Sequence, residues 1–188
     1  MTFQARHTEK FASLGRRFDE VTVAQYLTPE GLTSSANVAA GKAALERYRS
    51  LLQERNLLLQ TYLAEYVAFV GSLSTGQFRA GAESALGPNK EATESVYKML
   101  DQVQGEHAAA MDAIFDWATA NDGRIAIRNG QLMFSSVAQQ QELQSLANRL
   151  QVAESEVTAA AQKVQTAQAA TLEKNKRLQK EAAELLSK

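Results

Sequence analysis

Apolar residues recur at intervals of three and four over most of the chain, the spacing that places side chains on one face of an α-helix. In the first such segment, Phe11, Leu14, Phe18 and Val21 share a face. The chain is therefore predicted to be mainly helical. Breaks in the pattern divide it into four predicted helices, which span about residues 8–27, 30–73, 90–120 and 135–187.

Capping residues and helix breakers set the predicted boundaries. Thr28 suits the N-cap of the second helix, with Pro29 at the first helical position. Segment 72–89 holds several glycines and Pro88, which predicts a break before the third helix, with a short helix from Gln77 to Leu86 inside it as the alternative. Gly123 suits the left-handed position that ends the third helix.

The two longest predicted helices carry heptad repeats. In the second helix the repeat widens into a broad apolar stripe, which suits a bundle interior better than a two-stranded coiled coil. In the fourth, large residues at strict sevens face a row rich in alanine, a pattern that favours close helix approach and a left-handed supercoil. The rows are Leu45, Leu52, Leu59, Tyr66 and Leu73 in the second helix, and Leu143, Leu150, Val157, Val164, Thr171, Leu178 and Leu185 in the fourth.

Residues 124–134 have a different pattern, with strand-forming residues on both sides of Asn129 and Gly130. Asn-Gly is favoured in two-residue type I′ turns, so this segment predicts a β-hairpin. An isolated hairpin is only marginally stable in water, so we expect its apolar face to pack on the helices. Its exposed edges leave the alternative that it recruits a partner strand. The predicted pairs on the apolar face are Ile127 with Leu132 and Ile125 with Phe134.

Together these elements predict one all-α domain over residues 1–188, an elongated antiparallel bundle with a small β-hairpin insert. Antiparallel packing brings Arg55, His107 and Asn148 to about the same height. One interpretation is a polar layer that fixes the helix register, with Glu54, Glu106 or Glu142 as charge partners. The other is a pocket, including Tyr62 and Trp117, that binds an anion or senses pH through His107.

The same antiparallel alignment leaves the end of the fourth predicted helix without a neighbouring helix. With the third helix starting near Lys90, residues 165–188 are predicted to project by about 35 Å at 1.5 Å per residue. An isolated helix with an apolar stripe is unfavourable in water, so either segment 75–89 folds onto it or another chain covers it. We favour the second alternative, with a second copy or a partner helix as the neighbour. The predicted contact face consists of Val164, Thr171, Leu172, Leu178, Ala182 and Leu185.

Composition excludes several classes of function. The chain has no cysteine and only two histidines, which argues against thiolate sites and a histidine-rich metal centre. The net charge of −1 favours no nucleic-acid partner, and no apolar run reaches the roughly 18 residues of a membrane span. No catalytic or nucleotide-binding motif is present, so we expect no catalytic residues, cofactor or metal, and no enzyme activity.

The stretch from Ile125 to Glu142, a hairpin containing Asn-Gly-x-x-Phe followed by a Gln-rich helix start, resembles helical cell-envelope lipoproteins of Gram-negative bacteria whose function is unknown. The resemblance covers about residues 110–165. It implies a periplasmic or envelope location and a lipid anchor in the uncut precursor, whereas the polar start at Met1, taken literally, indicates the cytoplasm. The family supplies no catalytic residues.

We therefore expect a non-enzymatic structural or interaction protein that presents long helical surfaces. The protein partner or homo-oligomer contact is expected on the C-terminal helix. Two alternatives stay open, namely a ligand- or pH-sensing bundle and a component of a secretion or phage assembly.

Overall fold

The computed structural model describes residues 3–72 and 77–186, with side chains for all of these except 3–5, 69–71, 77–90, 92–93, 171–172 and 174–186. In this part of the chain the fold is all-α with a small β-hairpin, which confirms the predicted class. The elements are α1 (Phe3–Asp19), a 3₁₀ turn (Ala24–Tyr26), α2 (Pro29–Leu32), α3 (Ser35–Ser72), α4 (Gln77–Ala120), β1 (Ile125–Arg128), β2 (Gln131–Phe134) and α5 (Val137–Leu186).

Among the three long helices, α4 runs antiparallel to both α3 and α5. Lys42 near the start of α3 pairs with Asp116 near the end of α4, at 2.6 Å. On the other side of α4, Tyr97 accepts a hydrogen bond of 2.8 Å from Gln168, far along α5. Helices α3, α4 and α5 contain 38, 44 and 50 residues, or about 57, 66 and 75 Å at 1.5 Å per residue. The bundle is therefore elongated, with α1 packed against α3.

The largest core lies at the end of the bundle that carries the hairpin, and we call it the hairpin-end core. Phe115 and Leu45 are completely buried at its centre. Gly41 is needed beside them, because a Cβ atom there would lie 2.5 Å from the Phe115 ring. The buried members are Val23, Leu32, Val38, Leu45, Ala108, Met111, Ile114, Phe115, Trp117, Ala118 and Ile125.

The hairpin has the predicted register, with Ile125 opposite Phe134 and Ile127 opposite Leu132. Asn129 and Gly130 both have positive φ, 53° and 73°, as a type I′ turn requires. Ile125, Leu132 and Phe134 pack on the hairpin-end core, as expected. Ile127 does not join them and is 37% exposed, because it lies next to the turn, beyond the reach of the helices.

The first helix differs from its predicted range of 8–27. It begins at Phe3 and ends at Asp19. Residues 21–23 are Val-Thr-Val, and consecutive β-branched side chains disfavour helix. The chain leaves the helix there and buries Val23 in the hairpin-end core.

The second predicted helix, 30–73, is divided in two. Thr28 caps α2 as predicted, and its hydroxyl accepts a hydrogen bond of 3.1 Å from the Gly31 backbone N–H. Helix α2 ends at Leu32, and Ser34 then caps α3 by accepting a 3.3 Å hydrogen bond from the Asn37 N–H. The hydroxyl groups of Thr33 and Ser34 compete with helical hydrogen bonds, which explains the interruption.

The third predicted helix starts 13 residues earlier than expected, because α4 runs without interruption from Gln77 rather than from Lys90. Pro88 lies inside it. Proline removes one backbone donor, a local loss of about 3 kcal/mol that continuous helix on both sides can tolerate. The prediction gave the glycines and Pro88 too much weight as helix breakers.

The longer α4 removes the basis for a projecting segment 165–188. Gln168 of α5 still contacts Tyr97 of α4, and α4 continues for 20 residues beyond that level. Val164, predicted to face a partner, is buried inside the chain with Leu100 and Ala160. The side chains of Thr171, Leu172, Leu178, Ala182 and Leu185 lie outside those that the structure describes.

Candidate functional site

Arg55 forms the centre of a polar contact between α3 and α4. Its guanidinium donates a hydrogen bond of 2.5 Å to the Gln104 side chain and lies 3.7 Å from Asp101. Asp101 also accepts a 2.6 Å hydrogen bond from the Asn56 amide. Burial lowers the pKa of Arg55, and the Asp101 carboxylate opposes that change. These contacts fix the register of the two helices.

His107 belongs to a separate contact, between α4 and α5. Its Nε2 lies 3.9 Å from the Glu154 carboxylate, and its Nδ1 has no hydrogen-bond partner within the described part of the chain. Burial lowers the pKa of His107, and the charge of Glu154 acts in the opposite direction. The imidazole is therefore held in an environment that favours its neutral form.

The structure does not bring the five predicted site residues together. Arg55 contacts Gln104, one helical turn from His107, but the two side chains have different partners. Asn148 is exposed and accepts a hydrogen bond from Gln144 of its own helix. Tyr62 lies between α1 and α3, and Trp117 lies in the hairpin-end core. Glu54, Glu106 and Glu142 are not the charge partners of the polar layer, since they bind Arg17, Gln102 and Trp117.

Trp117 is a core residue. It is 7% exposed and lies 6.3 Å from Phe134 of the hairpin, measured between ring centroids. Its indole N–H donates a 3.3 Å hydrogen bond to Glu142 at the start of α5. Trp117 thus ties together α4, β2 and α5.

Tyr62 lies where α1 packs on α3, beside a residue that the sequence analysis missed. His7 is 2% exposed, its ring centroid lies 5.1 Å from that of Tyr62, and its Nε2 lies 3.0 Å from the Glu65 carboxylate. The hydrogen bond from His7 lowers the pKa of Glu65, with a further contribution from the charge of Arg6 at 2.6 Å. His7 precedes Phe11 by four residues, and this helical spacing is the signal that places it on the buried face of α1.

A groove separates α3 and α4 on the side of the polar contact away from the hairpin. We call it the distal groove, and its volume is about 520 Å³. On the α3 side, leucine and alanine side chains provide apolar surface. On the α4 side, the groove is lined by the ring of Tyr97 and by charged side chains. The lining residues are Asn56, Leu59, Gln60, Leu63, Ala64, Glu94, Tyr97, Lys98 and Asp101.

The half of α3 that borders the distal groove is poorly covered. Between positions 57 and 68 the helix carries seven large apolar or aromatic residues, and none of them is fully buried. Leu57 and Val67 are 65% and 45% exposed. Large apolar surface left in contact with water is typical of an interaction site. The seven residues are Leu57, Leu58, Leu59, Tyr62, Leu63, Tyr66 and Val67.

Two kinds of site are missing from the described residues. No helix among them combines the length and apolar character that crossing a bilayer demands. No three histidine, aspartate or glutamate side chains among those described converge as metal ligands would. No protein-family model, curated protein or solved structure matches the chain.

Proposed function

We propose that the protein is a non-enzymatic interaction protein that presents long helical surfaces to a protein partner. The observation that carries this proposal is the exposed half of α3, where none of seven large side chains is fully buried. In the same helix, Leu45, Leu51 and Leu52 are buried. One helix thus has a completed core along one half and a partly covered apolar surface along the other.

The energetics favour a partner at this surface. Burying apolar area contributes about 25 cal/mol per Å², so several half-exposed leucine and tyrosine side chains can together contribute several kcal/mol to binding. The distal groove gives that surface a shape into which side chains of another helix can pack. Helix-in-groove contacts are a common mode of recognition between proteins.

A binding role also agrees with the distribution of titratable groups. The groups with displaced pKa values are distributed over several interhelical contacts along the bundle. They are Tyr48, Arg49, Arg55, Tyr62, Glu65 and His107. An active site normally needs such groups to converge on one cavity. Here each displaced group has a partner in a neighbouring helix, which supports structural roles for them.

We further propose a location in the bacterial envelope. The support is the resemblance of Ile125–Glu142 to helical envelope lipoproteins, together with the hairpin and following helix that this segment forms. The intact mass of the protein purified from its natural cell tests the location. An additional N-terminal cysteine with acyl chains is the expected result, and a mass beginning at Met1 or Thr2 would contradict it.

The interaction itself is tested by placing a photo-crosslinking amino acid at Leu59, inside the distal groove, in the natural cell. The matched control carries the same amino acid at Val152, an apolar residue of α5 that is 59% exposed. We expect a discrete protein adduct from position 59 alone, and its loss when Leu63→Lys is added. Equal adducts from both positions, or none from position 59, would contradict the proposal.

A further inference from the structure

We propose that the occupant of the distal groove is a second copy of this chain. It docks antiparallel about a twofold axis, so that two α3–α4 pairs form a four-helix bundle. This inference rests on the proposed function and names its partner. Symmetric dimers use the same patch twice, so the patch must be complementary to itself. The distal groove meets that requirement in the placement of its charges and of its large and small side chains.

The register of α3 on α4 determines which positions of the two helices lie at the same level. Four interhelical contacts fix this register, and they place position 96 of α4 level with about position 62 of α3. A twofold axis at that level, perpendicular to the helices, sets each helix antiparallel to its own copy. The four contacts are Lys42–Asp116, Arg49–Asp112, Arg55–Gln104 and Asn56–Asp101.

Charges on α4 are arranged symmetrically about this axis. Glu94 and Lys98 both line the groove, at equal distances from position 96 and with opposite signs. In the antiparallel dimer, each Glu94 faces Lys98 of the second copy, and the pair occurs twice. Complementary charges of this kind fix orientation and register at an interface more than they increase affinity.

The α3 residues that line the groove are also arranged symmetrically about the twofold axis. Gln60 and Ala64 lie equally far on either side of position 62, so each Gln60 faces the small Ala64 of the second copy. Leu63 lies next to the axis, where it meets its own counterpart. A small residue opposite a longer one, with leucine at the centre, is the kind of packing that fills a four-helix bundle interior.

The charge of Asp101 and the small size of the groove both limit the strength of the proposed dimer. Asp101 is already compensated by Arg55 and Asn56 within its own chain, but it lies level with Glu91 of the second copy. The groove is lined by nine residues, whereas a standard interface uses roughly 20–30 on each side. We therefore expect a weak dimer, with Kd of about 10 μM or higher, and tighter association after Glu91→Gln.

Charge reversal tests the arrangement directly in the full chain. Lys98→Glu sets Glu94 against a glutamate, and Glu94→Lys sets two lysines against each other, so each variant alone should dimerise at least 10-fold more weakly. An equal mixture of the two variants pairs glutamates of one chain with lysines of the other and should restore a heterodimer. Sedimentation from about 1 to about 500 μM covers the expected range of Kd. Circular dichroism checks that each variant remains folded.

Disulfide trapping gives a second readout, because the chain has no cysteine of its own. Leu63→Cys should form a crosslinked dimer on oxidation, whereas Val152→Cys should not. A monomer at every concentration, or a dimer indifferent to both charge reversals, would overturn the twofold docking. An adduct with a different protein from the photo-crosslink at Leu59 would then leave the proposed function standing.

Discussion

The two halves of α3 differ in how completely neighbouring elements cover them. Near the hairpin, α3 is packed by α2, α4 and the 3₁₀ turn, and Leu45 is completely buried. Beyond the polar contact at Arg55, α3 has α1 on one side and α4 on the other, with the distal groove between α3 and α4. Both halves carry apolar residues at helical spacing. The difference lies in how many neighbours each half has, and sequence periodicity does not reveal that number.

The largest expected difference between the halves is in the response to loss of an apolar side chain. Phe115→Ala should lower the free energy of unfolding by about 3–5 kcal/mol, because it leaves a cavity at the centre of the hairpin-end core. Leu59→Ala in the distal groove should cost about 1 kcal/mol or less, since Leu59 is already partly in water. Urea unfolding at low protein concentration measures both values without a contribution from association. Equal losses would show that the groove is packed as tightly as the core.

A second pair of variants adds volume instead of removing it. Gly41→Ala should destabilise the protein by about 1–3 kcal/mol, because the new methyl group meets the Phe115 ring at 2.5 Å. Gly105→Ala, in an open part of α4, should stabilise the protein by about 0.5–1 kcal/mol through better helix propensity. Thermal unfolding of the two variants checks the signs. An unchanged melting temperature for Gly41→Ala would mean that the hairpin-end core can rearrange to accommodate the additional methyl group.

The smallest expected effect is a dependence of stability on pH. It arises at His107 of α4, near the boundary between the two halves of α3. Burial lowers the pKa of His107 in the folded protein, so the unfolded chain takes up this proton at a higher pH. Stability should therefore decrease as the pH falls below about 6.5, the ordinary pKa of histidine. His107→Leu should remove that part of the decrease.

The matched control for this prediction is Glu154→Gln. It removes the charge that raises the pKa of His107 and should make the decrease steeper. Melting temperatures between pH 5 and pH 8 measure both variants. Parallel profiles for the wild type and His107→Leu would rule out His107 as the source of the pH dependence.

Much of the fold could be predicted because it depends on local patterns. Helical spacing indicated the long helices, and Asn129-Gly130 located the hairpin and its register. The start of α4 was missed because Pro88 and its neighbouring glycines are breakers on average, while the cost at one site depends on the helix around it. That error alone produced the predicted projecting segment.

The contacts of the site were harder to predict than the helices. Antiparallel packing brought Arg55 close to the right level, but its partners are Gln104 and Asp101 instead of the glutamates that were expected. Several acidic residues lie within two positions of each contact, and a rotation of the helix decides which one is reached. The pair of His7 and Glu65 joins residues 58 positions apart, for which no periodic signal exists.

The placement of Trp117 has a consequence for spectroscopy. It is the only tryptophan, and it lies within the hairpin-end core against Phe134. Its fluorescence therefore reports on one end of the molecule, whereas far-ultraviolet ellipticity sums the peptide groups of every helix. Melting curves from the two signals coincide only when the whole chain unfolds as one cooperative unit. Ellipticity lost before fluorescence would identify the groove-bearing half as an independently melting foldon.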